Sequence, residues 1–324
     1  MRRVRCILPL ALALLLGPAG IAWGQPLFLL QWGSHGAADG QFDTPLGIAV
    51  GPDATVYVAD RMNARIQRFS ATGTFLGKWG SPGSGPGEFA DPFALAVDRQ
   101  GHVYVVDTSN DRIQKFDADG TFLTMWGQYG SSEGQFDGPQ GIAVDSQGNV
   151  YVADTNNDRV QVFAADGGFV TQWGSSGVGL GLLSYPVGVA TDNLGDVYVS
   201  SSFSNEVQKF TGAGVPLLVW GSYGSADGQM SGPRGLAISD VGVLYVADVY
   251  NCRIQEFTSN GQFVDTWGLQ GLGEGEFRSP VSVAVDRGGN IYVADLANHR
   301  IQKFGDLPIP TQPTTWGRIK AEWR

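Results

Sequence analysis

Five aspartate–arginine pairs stand five residues apart: Asp60/Arg65, Asp107/Arg112, Asp154/Arg159, Asp248/Arg253 and Asp295/Arg300. At the matching place between the third and fourth pairs the chain has Ser201 and Glu206, so both partners change together. Joint replacement marks the two positions as coupled, and the simplest coupling is an ion pair across a turn. A ring of aspartates could instead hold a divalent cation through its oxygens. The arginine that accompanies each carboxylate favours the structural pair. Asn63, Asn110, Asn157, Asn251 and Asn298 sit between the partners, where asparagine side chains cap backbone groups.

Other reactive side chains are sparse. His35, His102 and His299 fall in three different parts of the pattern described below, so they form no ring of equivalent positions, and only an asymmetric convergence could bring them together. Cys6 lies in the N-terminal segment, which leaves Cys252 alone in the body, without a partner for a disulfide or a cysteine-rich metal site. The glycine-rich segments, such as 127–138 and 221–232, lack the Gly-x-x-x-x-Gly-Lys-Ser/Thr pattern of a phosphate loop. Their glycines are expected to supply turns at positive φ, and Phe42, Phe89, Phe136 and Phe277 to anchor them.

What positions these residues is a repeat. Tyr57, Tyr104, Tyr151, Tyr198, Tyr245 and Tyr292 are spaced by 47 residues, as are Trp32, Trp79, Trp126, Trp173, Trp220 and Trp267, each followed by glycine. Six copies run in register without insertion. Each holds four short runs rich in β-branched and aromatic residues, separated by Gly, Asp and Asn turns. In the third copy the runs are 141–144, 150–153, 159–163 and 169–173. Four strands per repeat of this length predict an all-β, six-bladed β-propeller of four-stranded blades. Ala49, Ala96, Ala143, Ala190, Ala237 and Ala284 recur in the first run, as a crowded innermost strand requires. The run Leu27 to Trp32 precedes any first strand, while the sixth copy lacks its fourth, Thr314 standing where its tryptophan would fall. The N-terminal strand is therefore expected to join the last blade and seal the ring.

The pattern Tyr-Val-Ala-Asp, Asn, Arg-Ile-Gln and Phe, as in Tyr57 to Phe69 and Tyr292 to Phe304, resembles the NHL repeat over roughly residues 26–304. The resemblance implies a six-bladed propeller and several possible roles: an extracellular sensor, an RNA- or protein-binding module, or the scaffold of a peptidyl-amidoglycolate lyase. A lyase or lactonase needs metal ligands converging on the central channel. The residues preceding the inner strands are Leu46, Phe93, Gln140, Val187, Arg234 and Val281, none of them acidic.

Length and composition fit this reading. The chain has 324 residues, 43% of them hydrophobic and 16% charged, enough apolar material for a large core and too little charge for helical arrays. The formal net charge is −10, and the first 24 residues contribute three arginines and no acid, so the remainder carries −13. Such a body repels phosphate backbones and anionic lipid, which argues against a nucleic-acid partner. Residues 1–24 read as a secretory signal: Arg2, Arg3 and Arg5, an apolar stretch from Ile7 to Leu16, and Ala22-Trp23-Gly24 before a cut at Gln25. The stretch is short for a membrane span, and no later segment is long and apolar enough for one. The expected organisation is a signal peptide (1–24), a propeller (25–304) and a Pro-rich tail (305–324) ending in Trp316, Ile319 and Trp323. The tail is expected to pack on the propeller or to serve as a short docking tag.

The functional expectation is an exported non-catalytic binding or scaffold module, secreted, periplasmic or at the cell surface. It would engage a protein, peptide or glycan through one loop face and need no cofactor. The alternative is a metal-dependent lyase or hydrolase with its site in the channel. Loop tips on a rigid scaffold commonly carry function. Positions where the copies differ on that face nominate Arg61, Met62, Phe93, Gln140, Phe203, Arg234 and Tyr250. Arg61 and Arg234 are expected to be free of aspartate partners. The fourth copy, with Ser201, Phe203 and Glu206, breaks the symmetry most.

Overall fold

Our computed structural model describes residues 25–305. The expected signal segment and residues 306–324 of the expected tail lie outside the described residues.

The described residues form six four-stranded antiparallel sheets. Blade 1 runs outward from the axis as Pro45–Val50, Val56–Asp60, Arg65–Phe69 and Phe75–Trp79. Blades 2 to 5 repeat this order, with inner strands Pro92–Val97, Gly141–Val144, Pro186–Thr191 and Pro233–Ile238. Blade 6 takes three strands from the end of the chain, Pro280–Val285, Ile291–Asp295 and Arg300–Gly305, and its outer strand from the beginning, Leu27–Trp32. That last pairing is antiparallel, with Leu27 opposite Gly305 and Trp32 opposite Ile301. Consecutive inner strands neighbour one another around the hub, and the strand of blade 6 meets that of blade 1. The ring is closed, so every blade packs between two neighbours.

Each strand's residue pattern follows from what covers it. The second strand is packed on both faces by adjacent blades, so Val56–Asp60 and its equivalents are buried along their whole length and read as continuous apolar runs. The outer strand is covered on one face only, and Phe75–Trp79 alternates half-buried and exposed. Trp32, Trp79, Trp126, Trp173 and Trp220 each cover the glycine in the last turn of the following blade: a Cβ at Gly120 would lie 2.5 Å from Trp79. Aromatic contacts continue across each blade interface, as between Trp79 and Phe116 at 5.7 Å.

One local reading is extended and one is corrected. Besides the recurrent alanine, the inner strands are crowded at the position two residues earlier, occupied by Gly47, Ala94, Gly141, Gly188, Gly235 and Ser282. A Cβ on Gly141 would stand 2.1 Å from the Val187 carbonyl oxygen, and one on Gly188 equally close to that of Arg234. Neighbouring inner strands cross there backbone to backbone. The second strand of blade 3 also extends to Asp154, one residue beyond the expected run, because Asp154 pairs directly with Arg159. A short 3-10 turn, Thr155–Asn157, and a left-handed residue, Asp158 (φ 50°), close that hairpin.

Candidate functional site

The five Asp–Arg pairs are the last rungs of these hairpins, which places the two side chains next to each other. The Nε–Oδ2 distances run from 2.6 Å in Asp60/Arg65 to 3.2 Å in Asp295/Arg300, and all five carboxylates are fully buried. Both oxygens of each carboxylate accept hydrogen bonds. In blade 1, Asp60 accepts from the Asp43 backbone N–H, Asn63 Nδ2, Arg65 Nε and Gln67 Nε2. Arg65 donates further to the carbonyls of Ala37, Ala38 and Gln41, and Asn63 donates to that of Gly36. In these five blades the network ties the inter-blade loop to the hairpin beneath it, and each carboxylate already has its own arginine. The anchoring phenylalanines Phe42, Phe89, Phe136 and Phe277 are fully buried under the same loops.

The five pairs differ slightly in exposure. Arg65, Arg112, Arg159 and Arg300 are buried, whereas Arg253 is only partly so. Its bond to Asp248 is kept at 2.8 Å, but its bonds to the carbonyls of Ser225 and Ala226 face solvent. The outer strand differs there as well. Arg112, Arg159 and Arg300 each donate to a long side chain there, Met125, Gln172 and Gln31. Blade 5 has Thr266 at that place, which is too short to cover the guanidinium and instead donates its hydroxyl to the Ile254 carbonyl.

A second tie joins consecutive blades. In blades 2, 3 and 4 the left-handed residue of the hairpin reaches the next loop: Asp111 accepts from the Gly138 N–H, Asp158 from Tyr185 and Asn205 from Gly232. At the seam between blades 6 and 1 the same place is held by His299, whose Nδ1 accepts from the Thr44 N–H at 3.3 Å. His35 and His299, 264 residues apart in sequence, therefore meet, with ring centroids 4.5 Å apart and Asp43 beside them. This trio has metal-ligand chemistry by type. Its fit is poor: a neutral imidazole has one lone pair, and that of His299 already accepts a backbone N–H. His102 stands elsewhere, bonded to Asp98 at 2.8 Å in the turn between the first two strands.

The loop face surrounds the mouth of the central channel. Its rim carries Leu46, Phe93, Gln140, Val187, Arg234 and Val281, and the glycine ring lies just below. The lining contains no carboxylate, imidazole or thiol, and Ser282 supplies its one side-chain hydroxyl. Arg234 makes no ion pair among the described residues. Arg61 differs from expectation. Its guanidinium grips Asp91 of the next blade through two hydrogen bonds of 2.6 and 2.9 Å, and this bond holds its pKa above the ordinary value. It is an inter-blade tie, not a free anchor.

Met62, Phe203 and Tyr250 occupy one equivalent position, the middle of the hairpin turn, and all three are largely exposed. Phe203 stacks on Tyr185 with centroids 4.5 Å apart, and the Tyr185 hydroxyl accepts from Gln140 Nε2 at 3.0 Å. These contacts join Gln140, Tyr185 and Phe203 into one arc over blades 3 and 4. Arg234 adjoins it on blade 5, where Ser200 and Ser202 hydroxyls bond the carbonyls of Arg234 and Pro233. Tyr185 was not nominated from sequence. Its signal was there: Gly138 and Gly232 fill the equivalent place at positive φ, and a tyrosine held at φ 57° is an anomaly.

The NHL repeat profile matches residues 136–163, 230–257 and 277–304, and a 6-bladed beta-propeller profile matches residues 51–126. No curated protein sequence matches the chain. Among solved structures, a Bacteroides thetaiotaomicron protein of unknown function superposes with a TM-score of 0.68 at 20% identity, over 85% of this chain and 76% of its own. A streptogramin B lyase gives 0.61 at 16% identity, over 81% and 93%. A chain of a nidogen/laminin complex gives 0.54 at 20% identity, over 71% and 82%. At these identities the likeness is one of fold.

Proposed function

For this chain, a six-bladed propeller carrying NHL repeats, we propose a non-catalytic binding role in which the loop face takes up a protein, peptide or glycan ligand at the channel mouth. The observation that carries the reading is the composition of that mouth. Arg234, unpaired among the described residues, and Gln140 stand on a rim otherwise formed by Leu46, Phe93, Val187 and Val281, beside the stacked Tyr185–Phe203 pair. Such a surface offers apolar area and one orienting cation, the combination typical of interface anchors. The ligand it suits has an apolar portion and an anionic or hydrogen-bond-accepting group. Export rests on residues 1–24 and is part of the same proposal. No helix among the described residues is long and apolar enough to cross a membrane.

The fold likeness to a streptogramin B lyase keeps a metal-dependent lyase or hydrolase in view as the alternative. Against it stands the lining, which lacks the side chains that ligate metals or move protons. Immobilised protein, challenged with extracellular and envelope fractions, tests the two readings. Capture by the wild type that is lost in Phe93→Ala/Arg234→Ala, at equal thermal stability, supports binding at the mouth. Equal capture by both contradicts it. Stoichiometric zinc or calcium together with turnover abolished by chelation would establish the enzyme instead.

A further inference from the structure

Blade 4 departs from the other five in one sector, and the departures share a direction. Its loop has Val178, Leu180 and Leu182 where blade 1 has Ala37, Asp39 and Gln41, and where blade 3 has Ser131, Glu133 and Gln135. Its outer strand, Pro216–Trp220, presents Leu217, Leu218 and Val219. All six side chains are between 36% and 68% exposed. Loop and strand are adjoining surfaces. In blade 1, Lys78 at the place of Val219 forms an ion pair with Asp39 at the place of Leu180. In blade 3, Arg159 bonds both the Ser131 carbonyl and Gln172, the equivalents of Val178 and Val219. In blade 4 the arginine is replaced by Glu206, which is buried and accepts from Gln208 at 2.9 Å. Polar groups that bridge loop and rim elsewhere are thus exchanged here for solvent-facing aliphatic ones.

We infer that this strip on blade 4 is the contact surface for a second copy of the same chain, with the two outer strands Pro216–Trp220 running antiparallel across a two-fold axis. An isologous interface must be complementary to itself. An aliphatic strip without ionisable groups meets that condition, whereas most of an acidic body does not. The outer strand also has a free backbone edge. Native proteins blunt such edges with charge, as Lys78 and Asp265 do on blades 1 and 5; the outer strands of blades 2, 3, 4 and 6 are uncharged, and among these four only that of blade 4 has no polar residue between its ends and lies beside a loop bearing Val178, Leu180 and Leu182. Pairing with a symmetry mate satisfies the edge and buries the leucines in one step. This surface is separate from the channel mouth, so either reading can fail alone.

The test is the mass in solution of residues 25–324, which contain the whole closed ring, measured by light scattering over a concentration series. The wild type is expected to dimerise. The variant Leu180→Asp/Val219→Lys, which installs the ion pair blade 1 already carries, is expected to weaken dimerisation at least tenfold with an unchanged melting temperature. A wild type that stays monomeric overturns the proposal, as does a variant that dimerises as tightly. Dimerisation appearing only when residues 306–324 are removed would likewise overturn it, assigning the strip to that segment.

Discussion

Arg112 shows what the recurrent polar residues contribute. Its guanidinium bonds Asp107 and the carbonyls of Ser84, Gly85 and Glu88, so Arg112→Ala strands a fully buried carboxylate and frees the loop above. Loss of one partner of a buried pair costs about 3–5 kcal/mol. Denaturant unfolding should show a loss of that order, with ligand capture by the folded fraction unchanged; a stable variant that no longer captures ligand would reverse the assignment. His299 makes a finer case. Blades 2, 3 and 4 use Asp111, Asp158 and Asn205 as the same backbone acceptor. His299→Asn should therefore retain stability, while His299→Ala should lose about 0.5–1.5 kcal/mol, the worth of one hydrogen bond. Equal losses in both would show that the imidazole does something other than accept from Thr44. The pairing of aspartate with arginine was legible in the sequence because both change together in the fourth copy. The partial exposure of Arg253 was not, because what stands beside the arginine is set by the pairing of the third and fourth strands. The meeting of His35 with His299 was also out of view, because it depends on which two blades closure makes adjacent. The engagement of Arg61 by Asp91 was hidden too: Asp91 sits in another blade, at a position held elsewhere by Thr44, Gly138, Tyr185, Gly232 and Ser279.

Strands and their turns carry the next layer. The second-strand tyrosines are buried, and several donate to aspartates in the turn below, as Tyr104 does to Asp98 and Tyr151 to Asp145. Burial pushes Tyr57 up to about 12, with Asp53 adding to the rise, and moves Tyr104, Tyr151, Tyr198 and Tyr292 in the same direction. These groups keep their protons in the folded state after the unfolded chain begins to lose them near pH 10. Their contribution to stability is thus complete below pH 10 and is lost as the pH rises through the folded values. The tyrosinate absorbance of these five should rise together with loss of the fold above pH 10; a rise well before unfolding would contradict their burial. Repeat period, strand content and blade order were all readable from residues such as Tyr57 and Trp79, since the 47-residue spacing repeats without a gap. The glycine ring at the hub was harder to see, because Ala94 and Ser282 interrupt it and its cause is the crossing of strands from different copies.

At the scale of the molecule, one chain end completes the blade begun by the other. Removing Leu27–Trp32 would expose the edge of Arg300–Gly305 and open the seam held by Trp32 against Phe69 and Tyr292. The expected outcome is a single cooperative loss of stability across all blades; fraying confined to blade 6 would mean that the ring does not depend on its closure. The closed ring is also what gathers Phe93, Gln140 and Arg234, each from a different copy, around one opening. The most direct test of that gathering is hydrogen–deuterium exchange of the protein alone and with a captured ligand. Slowed exchange in the loop-face segments 137–141, 184–188, 202–205 and 231–235 is predicted. Protection confined to the opposite face, or to the outer strand Pro216–Trp220, would contradict binding at the mouth.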